Sequence, residues 1–315
     1  MSELHVVLGA SGALGSAIVH HLVEAEGLPV RAVARDVNKA AEMLPEGVEI
    51  VACDVADREG LLAACRGAGV IYNCVYVPND IREVTANALE AARQAGARLV
   101  QPSNGLVYGP LRQVPATEDH PQAPTSRRGM LRKEIEMTLL WAHERGEVAV
   151  VLPRLPTFYG AHVRGTFIGM IFEAAYKGRR ATWLGRLDMP HDLVYLPDVA
   201  AACVLLALND QAYGQAWHIP GPGPLTGRAF IERVFAAFGK PPKIGTWPRG
   251  LFRLLGLFSS QVAEIGEVIY QFEQPFILDG KKFAAAYPDF AYTSHDVGIV
   301  DTARWYASCL GDAES

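Results

Sequence analysis

The stretch Val6-Val7-Leu8-Gly9-Ala10-Ser11-Gly12-Ala13-Leu14-Gly15 limits what this chain can become more than any other. A short apolar run, readable as a buried strand from Leu4 to Leu8, breaks into three glycines spaced three apart. A helical pattern then begins, with Leu14, Ala17, Ile18 and Leu22 at helical spacing as far as Glu24. Strand, glycine turn and helix form the first half of a βαβ unit. The first glycine permits a tight turn, the second lets the backbone approach a ligand, and the third lets the helix pack closely on the strand. The helix N-terminus offers unpaired N–H groups and its dipole to negative charge, which suits a dinucleotide pyrophosphate.

The two periodicities keep alternating through the first half. Strands are expected at Val30–Ala34, Val48–Ala52, Val70–Asn73, Arg98–Gln101 and Val148–Leu152, with helices at about 39–44, 57–66, 80–95 and 129–145. Such alternation predicts an α/β fold, a doubly wound parallel Rossmann sheet whose ligands lie at the carboxyl ends of the strands. After Arg154 the pattern changes. A helix at about 165–176, Trp183-Leu184, a strand over His191–Leu196 and a helix from Pro197 to Leu208 come first. Ala216–Ile219, a helix from near Thr226 and a last helix at 294–307 follow. The apolar segment Leu251–Phe258 reads as a helix packed on a lobe. The expected division is a nucleotide domain over 1–155, to which 187–210 returns, and a smaller C-terminal substrate lobe over 156–186 and 211–315.

Composition removes several classes of function. A net charge of −5 with scattered basic residues leaves no stripe for nucleic acid. No run approaches the ~18 apolar residues of a membrane span, and no charged-then-apolar leader opens the sequence. The five cysteines are odd in number, widely spaced and free of CxxC pairs, which points to buried thiols in a reducing cytoplasm and to no metal site.

The end of the second expected strand bears on the cofactor. An NAD site places a carboxylate there for the ribose, and an NADP site offers a cation to the 2′-phosphate. This strand runs Arg31-Ala32-Val33-Ala34 and ends in Arg35. Ala34 cannot bond a ribose, and Asp36 falls where the next turn begins. A guanidinium at Arg35 makes fork-shaped, charge-assisted bonds to phosphate, so NADP(H) is expected in preference to NAD(H).

Five stretches together resemble the extended short-chain dehydrogenases/reductases, the superfamily that includes nucleotide-sugar epimerases and dehydratases. They are Gly9 to Gly15, Asp54 after the third strand, Ser103-Asn104-Gly105-Leu106-Val107-Tyr108-Gly109, Arg154-Leu155-Pro156-Thr157-Phe158-Tyr159-Gly160, and His191-Asp192-Leu193-Val194-Tyr195-Leu196-Pro197-Asp198-Val199-Ala200. The resemblance implies cofactor contacts from Ser11, Ala13, Leu14, Asp54, Val55, Asn73, Lys133 and Pro153. It places Tyr76, Asn104, Tyr108 and His191 on the substrate side. It also implies a homodimer paired through the helices at 80–95 and 129–145.

Two departures from that family are informative. Its acid–base apparatus is a Ser or Thr with a tyrosine and lysine spaced YxxxK, in which the phenol gives its proton to the carbonyl oxygen. Here Lys133 fits the lysine, and the tyrosine position is Gly129; no tyrosine occurs between Tyr108 and Tyr159. Asn104 replaces the hydroxyl residue. Its amide can donate to an oxyanion but cannot supply a proton. Three explanations stay open: Tyr108, Tyr159, Tyr76 or His191 is the donor; water or the substrate's own hydroxyl is, with Asn104 and Lys133 polarising the carbonyl; or the fold has kept the cofactor and lost the chemistry. His191 also stands where the sugar-nucleotide enzymes carry an arginine for the diphosphate, and a histidine is no bidentate phosphate clamp. Phe167, Phe172, Trp183, Trp247 and Phe252 give the lobe an apolar, aromatic character.

The function expected is therefore an NADP(H)-dependent oxidoreductase that reduces a ketone, aldehyde or activated C=C bond of a small molecule without the usual tyrosine. A nucleotide-sugar epimerase or dehydratase is the first alternative, and a non-catalytic NADP sensor the second.

Overall fold

A computed structural model describes residues 3–77, 80–247 and 266–311. The segment 251–258, and Phe252 with it, lies outside the described residues. The chain divides into two units, the first made of Met1–Asn104, Met130–Leu155 and Val199–Trp217, the second of Gly105–Gly129, Pro156–Asp198 and His218–Ser315. The returning segment is thus 199–217 where 187–210 was expected, and 105–129 group with the second unit.

In chain order the elements begin with β1 (Leu4–Leu8), α1 (Ala13–His20), β2 (Val30–Ala34), α2 (Val37–Met43), β3 (Glu49–Ala52) and α3 (Arg58–Ala64). There follow β4 (Ala68–Asn73), α4 (Ile81–Ala95), β5 (Arg98–Val100), β6 (Ser103–Asn104), α5 (Arg127–Glu144) and β7 (Val150–Leu155). Next come β8 (Thr157–Tyr159), α6 (Phe167–Tyr176), β9 (Ala181–Leu184), β10 (Pro190–Tyr195), α7 (Leu196–Leu208) and β11 (Ala216–His218). The last are β12 (Pro224–Thr226), α8 (Gly227–Ala237), β13 (Ile244–Trp247), α9 (Lys281–Ala286) and α10 (His295–Gly311).

The main sheet has the order β11-β7-β5-β4-β1-β2-β3, with β6 also paired to β7. β1 pairs in parallel with both β2 and β4 (Leu8 opposite Val33 and Asn73), so the winding direction reverses between β1 and β4. That is the switch point at which open α/β sheets hold ligands. The strands are short apolar runs because both faces are covered, and Val6, Leu8, Ile71, Leu99, Val150 and Leu152 are all fully buried.

Helix α1 runs on at His21 into a π turn that reaches Ala25, so the helical run covers the expected span to Glu24. Glu26 N–H bonds the His21 carbonyl, and Leu28 N–H closes on the Leu22 carbonyl past Gly27 at φ +63°, a glycine conformation that ends the run.

The second unit holds a small sheet of order β12-β10-β8 and a β13–β9 pair. Its core is aromatic: Tyr159, Phe172, Trp183, Phe230 and Tyr306 are all wholly enclosed. Among the described residues no helix is long and apolar enough to cross a membrane.

Candidate functional site

The glycine turn leaves β1 at the switch point. Gly9 has φ +73°, and a Cβ on it would lie 3.0 Å from Val75 Cγ2 and 3.2 Å from the Cys74 carbonyl carbon, just beyond β4. A Cβ on Gly15 would fall 2.3 Å from the Gly9 carbonyl oxygen, so only glycine lets α1 seat on the turn. Gly12 is the N-cap of α1, and no side chain caps the helix there. Its first turn carries no acid, and a Cβ on Gly12 would meet nothing nearer than the Gly9 oxygen at 3.2 Å. The cradle thus has room over its middle glycine and an uncompensated positive helix end, which fits a pyrophosphate. Ser11, Ala13 and Leu14 belong to this same turn.

At the end of β2, Asp36 Oδ1 accepts from Lys39 N–H at 3.0 Å and caps α2. Its carboxylate is committed to that helix, while Arg35 is exposed beside it. Asp54 is exposed after β3, with one carboxylate oxygen accepting from Ala56 N–H at 3.0 Å.

Other residues expected to touch the cofactor face inward. Asn73 is buried and donates from Nδ2 to Gln101 Oε1 at 2.8 Å, so its side chain holds β4 to the strand beside it. Val55 packs in the hydrophobic core, and Pro153 is buried within β7. The side chains of all three are buried.

Asn104 ends β6, half-buried, opposite Leu155 of β7. On α5, Glu136 is locked to Arg154 (Nη2 to Oε2, 2.6 Å) with both side chains enclosed. This fixes the helix register and sets Lys133 and Arg132 one turn earlier, both half-buried. The Arg132 guanidinium lies over the ring of Tyr76, 5.5 Å from its centroid, and Tyr76 is 55% exposed beyond β4. Sequence reading passed over Arg132. Its place four residues before Glu136, on the face turned to the sheet, was the available signal.

The remaining candidates lie in the second unit, and the structure withdraws them from acid catalysis. Tyr159 is fully buried against Phe172, Tyr195 and Phe230. His295 donates from Nε2 to the Gly223 carbonyl at 2.7 Å, which leaves Nδ1 to accept from the Tyr159 hydroxyl at 3.2 Å. Burial raises the Tyr159 phenol far above its ordinary value. Tyr108 is fully buried too. His218 Nδ1 donates to the Asp279 carbonyl at 3.1 Å, so Nε2 accepts the Tyr108 proton at 2.6 Å. Neither phenol reaches solvent. Their histidine partners lie 136 and 110 residues away in sequence, so no local pattern announced them.

His191 is 4% exposed, packed between the rings of Trp183 and Phe272, and desolvation lowers its pKa to about 4. It is a neutral core residue of β10, not an exposed substrate contact. Asp192 beside it accepts from Leu278 N–H at 2.6 Å, and burial raises its carboxyl to about 7.

Gly129 has no room for a side chain. A Cβ there would lie 2.5 Å from the Leu106 carbonyl oxygen and 2.8 Å from Pro124 Cβ, and its N–H donates to Ser126 Oγ at 3.1 Å. Backbone has closed over the position where the family tyrosine would start.

The chain is 30% identical over 243 residues to the 2′-dehydrokanamycin reductase of Streptomyces kanamyceticus, covering 75% of this chain and 67% of that one. It is 24% identical over 237 residues to the NAD(P)H azoreductase of Xenophilus azovorans, covering 75% and 74%. The fold superposes on dTDP-glucose 4,6-dehydratase from Bacillus anthracis, solved with NAD, with a TM-score of 0.82 at 18% identity over 98% and 97% of the two chains. Residues 5–219 match the profile of one family, and the chain belongs to it: the NAD dependent epimerase/dehydratase family.

Proposed function

We propose that this chain is an NADP(H)-dependent reductase acting on a ketone, aldehyde or activated C=C bond of an uncharged small molecule. One observation carries the reading. At the end of β2 one oxygen of the Asp36 carboxylate caps α2, and the cation Arg35 is exposed next to it. That arrangement offers a 2′-phosphate a guanidinium and ties the neighbouring carboxylate to the start of α2.

Gly9, Gly12, Gly15 and the α1 N-terminus would hold the pyrophosphate, Arg35 the 2′-phosphate, Asp54 the adenine and Lys133 the nicotinamide ribose. When bound, the reduced dinucleotide supplies hydride. Asn104 donates to the oxygen on which charge develops. The reductive direction is supported by two relatives named for reductions. A diphosphate substrate is disfavoured because His191 is enclosed and uncharged. Two chains would pair through α4 and α5, where Met130, Met137 and Trp141 stand exposed along one helix.

Thermal-shift titration with NADP+ and NAD+, followed by NADPH consumption on aldehydes and ketones, tests the reading. NADP+ should stabilise the protein at the lower concentration, and Arg35→Ala should erase the preference. Stronger stabilisation by NAD+ would overturn the cofactor assignment. Conversion of a nucleotide sugar without net NADPH consumption would make the chain an epimerase or dehydratase. Tight NADP+ binding with no consumption would make it a silent binder.

A further inference from the structure

The proposed reduction needs a proton donor at the carboxyl edge of the main sheet, and the position of the family tyrosine is closed by backbone. Of the side chains that could substitute, Tyr108 and Tyr159 are fully buried with their hydroxyls bonded to histidines. His191 is neutral and enclosed by aromatic rings. Tyr76 differs from all three, being exposed and standing three residues past the end of β4 at the switch point.

Its neighbours fix where it stands. Val75, the preceding residue, lies against the glycine turn, with Cγ2 3.0 Å from where a Gly9 Cβ would be. The Arg132 guanidinium covers the ring from α5, whose register the Glu136–Arg154 pair sets one turn further along. Helix α5 feeds β7 and runs against the strand direction, so its first turns belong to the carboxyl edge of the sheet. A phenol and a cation from two separate elements are thus brought together beside the dinucleotide turn.

Resting on the reductase reading above, we propose that Tyr76 and Arg132 form a substitute acid pair: Tyr76 protonates the substrate oxygen, and Arg132 holds the ring and faces the phenolate left behind. A bound NADPH would supply the hydride for the new C–H bond. As the C=O π pair moves onto oxygen, the Tyr76 O–H bond breaks and its proton goes to that oxygen. Water then returns a proton to the phenolate. The balance is carbonyl + NADPH + H+ to alcohol + NADP+. A fixed cation facing developing negative charge is the arrangement that favours such a transfer. Asn104 orients the same oxygen without exchanging a proton.

The test compares wild type, Tyr76→Phe, Arg132→Gln and Arg132→Lys, using NADPH with benzaldehyde and acetophenone. Because Tyr76 is exposed, Tyr76→Phe should keep the wild-type melting temperature and NADP+ affinity while kcat falls by about 10²-fold or more. Arg132→Gln should lower kcat, and Arg132→Lys should recover part of it, which a purely structural role would not produce. Independently of turnover, NADP+ addition should perturb a tyrosine band in the ultraviolet difference spectrum of wild type, and Tyr76→Phe should lack that signal. Full activity in Tyr76→Phe, or an identical difference spectrum, would overturn the pair and leave the reductase reading standing. A wild type that consumes no NADPH with either probe would overturn both.

Discussion

Arg154 grips Glu136 through Nε and Nη2, at 3.2 and 2.6 Å, with both side chains shut away from water. One partner comes from β7 and the other from α5, so the bond joins the sheet to the helix that carries Arg132 and Lys133. Enclosed ion pairs contribute little relative to a well-packed apolar pair, but losing one partner strands a charge. Glu136→Ala or Arg154→Ala should therefore each cost about 3–5 kcal/mol in urea unfolding. Glu136→Leu combined with Arg154→Met should cost far less than the sum of the two single losses.

Restoring the family tyrosine should fail. Gly129→Tyr drives a Cβ into the Leu106 carbonyl and Pro124, and Gly129→Ala already incurs that clash. Overpacking of this kind costs about 1–3 kcal/mol. Both variants should melt lower than wild type, and neither should gain NADPH turnover. Higher activity in Gly129→Tyr would show that the segment 105–129 yields easily.

Adjacent residues of β10 should produce opposite pH dependences. Folding lowers the His191 pKa from 6.5 to about 4, so the unfolded chain binds the extra proton between those values, and this term loses stability as pH falls. Folding raises the Asp192 pKa from 3.8 to about 7, so the folded chain holds the extra proton, and this term loses stability as pH rises. At about 1.4 kcal/mol per pH unit the two are worth roughly 3 and roughly 4 kcal/mol, and between about pH 4 and 6.5 they oppose and largely cancel. Relative to wild type, His191→Phe should then lose stability as pH rises through that window, and Asp192→Asn should gain it. Parallel profiles for the two variants would contradict the burial argument.

Trp141 of α5 is 58% exposed, with the Arg145 guanidinium 4.6 Å from its ring, and Met137 stands one turn before it. Trp141→Glu should turn the proposed dimer into a monomer in sedimentation experiments. An unchanged sedimentation coefficient would remove this face from any subunit contact.

The sheet was legible because both signals that specify it are local: apolar runs for strands, and glycine spacing for the turn that joins β1 to α1. Gly15 could be assigned from spacing alone, since a helix that follows a tight turn so closely leaves no room for a side chain. Asp36 was readable as a turn residue by position, and its capping bond to Lys39 gives that reading a mechanism. The aromatic candidates were not legible. Whether a tyrosine near a strand end faces solvent or core depends on residues more than a hundred positions away, as His218 and His295 demonstrate. Asn73 is likewise held inward by a bond to Gln101, 28 residues away, and Pro153 is buried within β7.

The contact between Val75 and Gly9 also governs how this site can diversify over generations. Gly9 is held to glycine by its backbone angle, and its closeness sets a ceiling on the bulk tolerated at 75. The next residue, Tyr76, is 55% exposed and under no such steric ceiling, so only the proton-donor role proposed for it would confine it. Lineages that kept the reduction should therefore keep a tyrosine at 76, while those that abandoned it can exchange that residue and still inherit the phosphate cradle intact.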